Sequence, residues 1–233
     1  MSESLRVALV AEGPTDGLVL GAALQSILEP RTFIMTQLQP EGSVAFGSLG
    51  TGWGGVYRWC KQSAARGGGQ LSRDDLLFLE YDLLIVHVDA DVADKNYSDA
   101  VITPEACDPP LPCAQACPPA LATCDALRSV LLGWCGESVV PGRLVLCVPS
   151  KSTEAWVVAA LFPDDLEVVR GSNFECYADP ESRLAQQKKR HRIKKNQTQY
   201  RARAGELKAQ WSRVSSKLGQ SGRFTAEIRA ALT

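Results

Sequence analysis

Three carboxylates stand directly behind two apolar runs. Glu12 follows Leu5 to Ala11, and Asp89 and Asp91 follow the run from Tyr81 to Val88. Acids gathered in one pocket repel one another and take up protons unless a hard divalent cation compensates them. A cation such as Mg²⁺ or Mn²⁺ held there activates water and stabilises a leaving oxygen, so the chemistry implied is metal-assisted attack at phosphorus. Asp89 and Asp91 are two residues apart, which places both carboxylates on one side if the chain is still extended. Asp94 is a candidate outer ligand. Asp16 could orient a ligand or cap a helix, and turn or cap roles suit both residues at least as well.

The elements that must position these acids are legible as strands alternating with helices. Residues 5–11 are β-branched and apolar, 32–38 reads as a second strand, and 81–88 and 143–148 are apolar at nearly every position, as strands buried on both faces are. The run after Gly13-Pro14-Thr15-Asp16-Gly17 predicts a helix, and further helices are expected over 56–65, 121–134 and 154–161, the last with Ser150 or Ser152 as N-cap. That alternation predicts a doubly wound, mostly parallel sheet, with residues beyond the strand ends converging at one edge. A Gly-rich loop (42–55) and a Pro- and Cys-rich excursion (95–120) interrupt the pattern. Beyond residue 180 only helical patterning remains, over 181–196, 199–218 and 223–232, with a break at Gly219-Gln220-Ser221-Gly222. The chain thus divides into an α/β body (1–180) and a helical extension (181–233).

The segment Val7-Ala8-Leu9-Val10-Ala11-Glu12-Gly13-Pro14-Thr15-Asp16, followed by Leu84-Ile85-Val86-His87-Val88-Asp89-Ala90-Asp91, resembles the TOPRIM domain of topoisomerases, primases and OLD-type nucleases. The Glu-Gly-x-Thr-Asp form is closest to OLD-type nucleases and small stand-alone TOPRIM-like proteins of bacterial phage defence. The resemblance implies that Glu12 serves acid/base chemistry or metal binding and that Asp89 and Asp91 hold Mg²⁺. Val148-Pro149-Ser150-Lys151-Ser152-Thr153-Glu154-Ala155-Trp156 resembles a stretch of the small relatives. It implies that Glu154 completes the metal site and Lys151 contacts phosphate; a helix cap with Trp156 in the core suits the same residues. The resemblance spans roughly residues 5–150 and lacks the ATPase portion of full-length OLD proteins, so an ATPase or other defence subunit is an implied partner. The activity implied is that of a metal-dependent nuclease acting on DNA or RNA. The alternatives are a non-catalytic nucleic-acid-binding or partner-regulating module, or a nucleotidyltransferase or phosphatase using the same crevice.

The formal net charge of −1 conceals a division. Residues 183–233 carry 14 Lys or Arg against two acids, a balance of +12, and the remainder balances at −13. Lys188, Lys189, Arg190, Arg192, Lys194, Lys195, Arg201 and Arg203, with Tyr200 and Trp211 as aromatic faces, would suit a nucleic-acid backbone. A solvated basic hairpin, or an arm neutralising its own body, fits the same composition. No run is long and apolar enough for a membrane helix and no signal-type start is present, which points to the cytoplasm. In that reducing setting the eight cysteines read as buried thiols or a metal site. Cys107, Cys113, Cys117 and Cys124 could bind Zn²⁺, although the paired spacing of zinc ribbons is missing. Cys60, Cys135, Cys147 and Cys176 read as core fillers. Neither histidine has a partner visible in the sequence: His87 is expected to be buried in its strand and His191 solvated.

Overall fold

The computed structural model describes residues 3–40, 49–164, 174–177, 179–189 and 191–233. Four parallel strands, β1 (Leu5–Val10), β2 (Phe33–Gln39), β3 (Leu83–His87) and β4 (Leu144–Cys147), form one sheet in the order β2-β1-β3-β4. The pairing aligns Leu5 with Phe33, Val7 with Leu83 and Leu84 with Leu144. From β1 the chain steps outward to β2, then returns across β1 to build β3 and β4 on the other side. The strand order therefore reverses between β1 and β3, the place where open parallel sheets bind ligands.

Eight α-helices are present among the described residues: α1 (Pro14–Ile27), α2 (Gly52–Arg66), α3 (Asp75–Glu80), α4 (Ala120–Trp134), α5 (Glu154–Leu161), α6 (Pro180–Ala185), α7 (Gln197–Lys217) and α8 (Gly219–Ala230). The period of two along each strand divides them between the sheet faces. Val7, Leu9, Leu83, Ile85 and Val145 enter one core with Leu20 and Leu24 of α1, Trp156 and Val158 of α5, and Leu207, Trp211 and Phe224 of α7 and α8. Ala8, Val10, Leu84, Val86 and Leu146 enter the other with Val56 of α2 and Leu127 and Trp134 of α4. The doubly wound α/β architecture expected from the alternation is present.

The C-terminal helices correct the expectation of a separate arm. Tyr200 and Trp211, expected as exposed stacking faces, are buried. Trp211 packs edge-on to Trp156 with ring centroids 5.3 Å apart, and its indole N–H donates to Thr225 Oγ1 at 3.0 Å. α7 and α8 thus complete the cover of one sheet face, burying an apolar stripe that would otherwise face water. The helix foreseen over 181–196 is only the short α6. The foreseen break at residues 219–222 falls instead at Leu218, whose extended backbone (φ −113°, ψ 125°) separates α7 from α8, and Gly222 lets α8 approach α7: a Cβ there would stand 2.7 Å from the Ser215 carbonyl oxygen.

The excursion is held by side chains. Tyr57 OH donates to Asp108 at 2.6 Å, Lys61 pairs with Asp108 at 3.0 Å, and the N–H groups of Cys113 and Ala114 both donate to Ala93 O. Cys117 is disulfide-bonded to Cys176, with Cα atoms 5.7 Å apart. This overturns two expectations. Cys176 is not a core filler, and the thiolates of Cys107, Cys113, Cys117 and Cys124 form no zinc site among the described residues, since Cys117 is taken and Cys124 is buried on the core face of α4. Cys60, Cys135 and Cys147 are buried as expected. Residues 42–48 of the Gly-rich loop lie outside the described residues, and Gly52 to Gly55 open α2 four residues earlier than predicted. Among the described residues no helix is long and apolar enough to cross a membrane.

Candidate functional site

Glu12 lies two residues beyond the end of β1, and Asp89 two beyond the end of β3, so the sheet sets them side by side at the strand-order switch. Glu12 Oε1 accepts the backbone N–H of Asp89 at 2.8 Å, and the Glu12 carbonyl accepts the N–H of Gly52 at 2.9 Å. Gly52 has φ of 67°, a left-handed conformation that glycine takes without strain, and it lets the start of α2 close over Glu12. Burial, with the Asp89 charge second, lifts the Glu12 carboxyl from 4.5 to about 8.

The chain does not remain extended past Asp89. Residues Ala90–Asp94 form a 3-10 turn, so the expected side-by-side projection of Asp89 and Asp91 is corrected. Asp89 points inward and is buried, whereas Asp91 is exposed. Hydrogen bonds from Ala90 N to Pro149 O (3.1 Å) and from Asp91 N to Lys151 O (3.2 Å) prolong the β3–β4 pairing around this turn. They bring the loop before α5 to the acids. Lys151 there has φ of 79°, a conformation costly for a residue with a Cβ and typical of functional sites.

Glu154 is the first residue of α5 and fully buried, with Thr153 at the N-cap position in place of either serine. Its Oε1 accepts Tyr200 OH at 2.9 Å and lies 3.2 Å from Lys195 Nζ, while Oε2 is buried with no hydrogen-bond partner. Lys195 also faces Glu181 at 3.6 Å. The carboxylates Glu154, Asp16 and Asp89 outweigh its desolvation, so Lys195 stays charged and the Tyr200 phenol, beside Glu154, stays protonated. Asp89, Asp91, Lys151, Ser152, Glu154, Asp179, Glu181 and Lys195 enclose a cavity of about 110 Å³. Glu12 is not part of its wall and reaches it through Asp89.

Two residues to which spacing gives only a weak signal belong to the same centre. Asp16 is buried; its Oδ2 accepts the Gly13 N–H at 2.9 Å, the capping role foreseen for it, and its Oδ1 accepts Thr153 Oγ1–H at 2.8 Å. Thr153 N–H donates to Asp89 Oδ1 at 3.1 Å, so one threonine orients two carboxylates. His87, buried as expected, lies on the sheet face covered by α1 and α5, with Nε2 3.2 Å from Asp89 Oδ1, a neighbour the sequence does not reveal. Asp16, His87 and Asp89 each offer a ligand atom, all within 4.8 Å of one another. Spacing could not reveal this group, because Asp16 lies on a helix far from the His87–Asp89 pair in the chain. Burial and the neighbouring acids Asp16, Glu154 and Asp91 raise the Asp89 carboxyl well above the usual range, and Asp91, although its side chain is open to solvent, is also raised by partial desolvation at the cavity wall.

The predicted phosphate-binding bases divide. Lys188, Lys189, Arg192, Lys194 and Arg201 are exposed. Lys195 is committed to Glu154, and Arg203 pairs with Glu206 at 2.7 Å. Arg190 lies outside the described residues. Other bases of this segment serve the fold: Arg213 donates to the carbonyls of Ala159 and Ala160, Lys208 pairs with Glu29, and Arg223 pairs with Asp125 and Glu227. His191 is exposed.

No protein-family model, curated protein or solved structure matches the chain.

Proposed function

We propose that this chain is a Mg²⁺- or Mn²⁺-dependent nuclease of TOPRIM-like type. The observation that carries the reading is the gathering of Glu12, Asp89, Asp91 and Glu154, with Lys151 and Lys195, about the β1–β3 switch. The residues fit a divalent cation. Burial pushes both Glu12 and Asp89 towards the protonated form, aided at Glu12 by the Asp89 charge and at Asp89 by Asp16, Glu154 and Asp91, and Glu154 Oε2 is buried without a partner. A cation held by Asp89, with Asp91 or Glu154, would relieve this repulsion. When bound it would supply charge stabilisation to a phosphoryl oxygen and acidify water.

The protein groups complete that chemistry. With Oε1 fixed by the Asp89 N–H, Glu12 Oε2 would serve as base for the attacking water once relief, by the cation, of the repulsion that raises its carboxyl leaves it ionised. The Lys195 ammonium, held by Glu154, contributes a fixed positive charge at the cavity wall, and Lys151 in the same wall would meet a phosphate oxygen. The exposed bases Lys188, Lys189, Arg192, Lys194 and Arg201 would follow a polynucleotide backbone. A role in phage defence, with an ATPase or another subunit as partner, accords with the TOPRIM resemblance.

The cavity lined by Lys151, Lys195 and the acids would also admit a small phosphoester, which gives phosphoester cleavage of small substrates as the second reading. The test is a panel of plasmid, single-stranded DNA, tRNA, total RNA and a chromogenic phosphomonoester, incubated with Mg²⁺, Mn²⁺ or EDTA. Wild type is compared with Glu12→Ala and Asp89→Ala. Metal-dependent cleavage of a polymer, lost in both variants, is expected. Turnover of the monoester alone would move the assignment to a phosphatase, and binding without cleavage to a binding module.

A further inference from the structure

We propose that Asp16, His87 and Asp89 form a binding site for a first-row transition-metal ion, selected over Mg²⁺ by the imidazole. This deepens the nuclease reading and rests on it for the role of the ion, but not for the site itself. The three ligand atoms lie within 4.8 Å of one another, and all three residues are buried. A cluster of acids alone would say little; the histidine adds the independent observation. His87 is 0% exposed, and neither Nδ1 nor Nε2 has a hydrogen-bond partner. Nε2 sits 3.2 Å from Asp89 Oδ1, but not in hydrogen-bonding alignment. An imidazole has one donor and one acceptor nitrogen, and leaving both buried and unmatched is costly. A metal ion at the lone pair removes the acceptor side of that cost.

The surroundings are those of a ligand set already oriented. Thr153 Oγ1–H and the Gly13 N–H fix the two oxygens of Asp16, and the Thr153 N–H fixes Asp89. Such outer hydrogen bonds hold metal-binding carboxylates in place while leaving lone pairs for the ion. One nitrogen and two carboxylates suit Mn²⁺ through Zn²⁺, whereas Mg²⁺ takes oxygen ligands and keeps its waters. Three protein ligands leave coordination positions for water or substrate, and Asp89 belongs both to this set and to the wall of the 110 Å³ cavity.

The test uses the full chain stripped of metal, titrated calorimetrically with MnCl₂ and with MgCl₂, and pulsed EPR of the Mn²⁺-loaded wild type. His87→Asn, checked by circular dichroism, is titrated in parallel. Mn²⁺ is expected to bind more than ~10-fold tighter than Mg²⁺ and to show the hyperfine coupling of a directly bound ¹⁴N. His87→Asn should weaken Mn²⁺ by at least the ~10–100-fold that loss of an outer partner costs, with Mg²⁺ binding little changed. Absence of nitrogen coupling overturns the proposal, and so does a folded His87→Asn that binds Mn²⁺ like wild type. If that variant does not fold, the EPR of the wild type decides. Retained Mg²⁺ binding without nitrogen coupling leaves the nuclease reading standing, while nitrogen-coupled Mn²⁺ without any cleavage leaves the site and removes the nuclease.

Discussion

Glu12→Gln should stabilise the metal-free protein at alkaline pH. The folded state lifts the Glu12 carboxyl from 4.5 to about 8 through burial and the Asp89 charge. Between those values the folded chain holds a proton that the unfolded chain has released, so stability falls as pH rises. The favourable contribution is fully present below about 4.5 and is lost progressively up to about 8. At ~1.4 kcal/mol per pH unit the ceiling is roughly 5 kcal/mol, and local relaxation and water entry should reduce this to about 2 kcal/mol. Gln retains a carbonyl oxygen to accept the Asp89 N–H, carries no charge and relieves Asp89 as well. The assay is urea denaturation in EDTA, followed by tryptophan fluorescence from about pH 5.5 to 8.5. Wild type should lose stability across this range, and Glu12→Gln should lose less than half as much and be the more stable protein at the alkaline end. A variant less stable than wild type at about pH 8.5, or with an undiminished slope, would refute the reasoning and mean that Glu12 is ionised at little cost in the fold.

Thr153→Val removes the hydroxyl that binds buried Asp16 and should cost about 1–3 kcal/mol in chemical denaturation, together with a measurable loss of metal affinity by calorimetry. Trp211→Ala should destabilise by about 3–5 kcal/mol, because the ring lies in the core against Trp156 and Phe224; a loss below ~1 kcal/mol would restore a detached arm. Reversing the charge at Lys189, Arg192 and Lys194 should leave the thermal midpoint unchanged while weakening nucleic-acid binding and flattening its dependence on log salt, by about 0.9 for each phosphate no longer neutralised. Gly222→Ala should destabilise by about 1–3 kcal/mol despite alanine's better helix propensity, since the new methyl meets the Ser215 carbonyl oxygen at 2.7 Å; a gain in thermal midpoint would show that α8 can shift.

The strands and their flanking acids were legible because a buried parallel strand must be apolar along its length, and Glu12 and Asp89 directly follow such runs. Run length and period alone placed all four strands to within two residues of their bounds. The start and end of α5 were equally local matters, read from its polar opening and apolar body. Charge, by contrast, misdirected the reading of the C-terminal segment: fourteen bases looked like an arm, while Tyr200, Leu207, Trp211 and Val214 along α7 supply the buried stripe that decides where the helix goes. Burial of that stripe outweighs the solvation preference of a charged face that stays wet in either arrangement.

What the sequence by itself determined is which groups lie at the ends of the strands, because extended backbone and its side-chain alternation are set by neighbours in the chain. Only the tertiary structure decided which of them meet. The pairing of β1 with β3 set Glu12 against the Asp89 backbone, and the turn at Ala90–Asp94 drew Asp89 inward and left Asp91 outside. The packing of α1 and α5 on one face brought Asp16 and Thr153, 137 positions apart, together beside Asp89. Contacts over such separations depend on how layers stack around a common core, a quantity that no local pattern of residue types encodes.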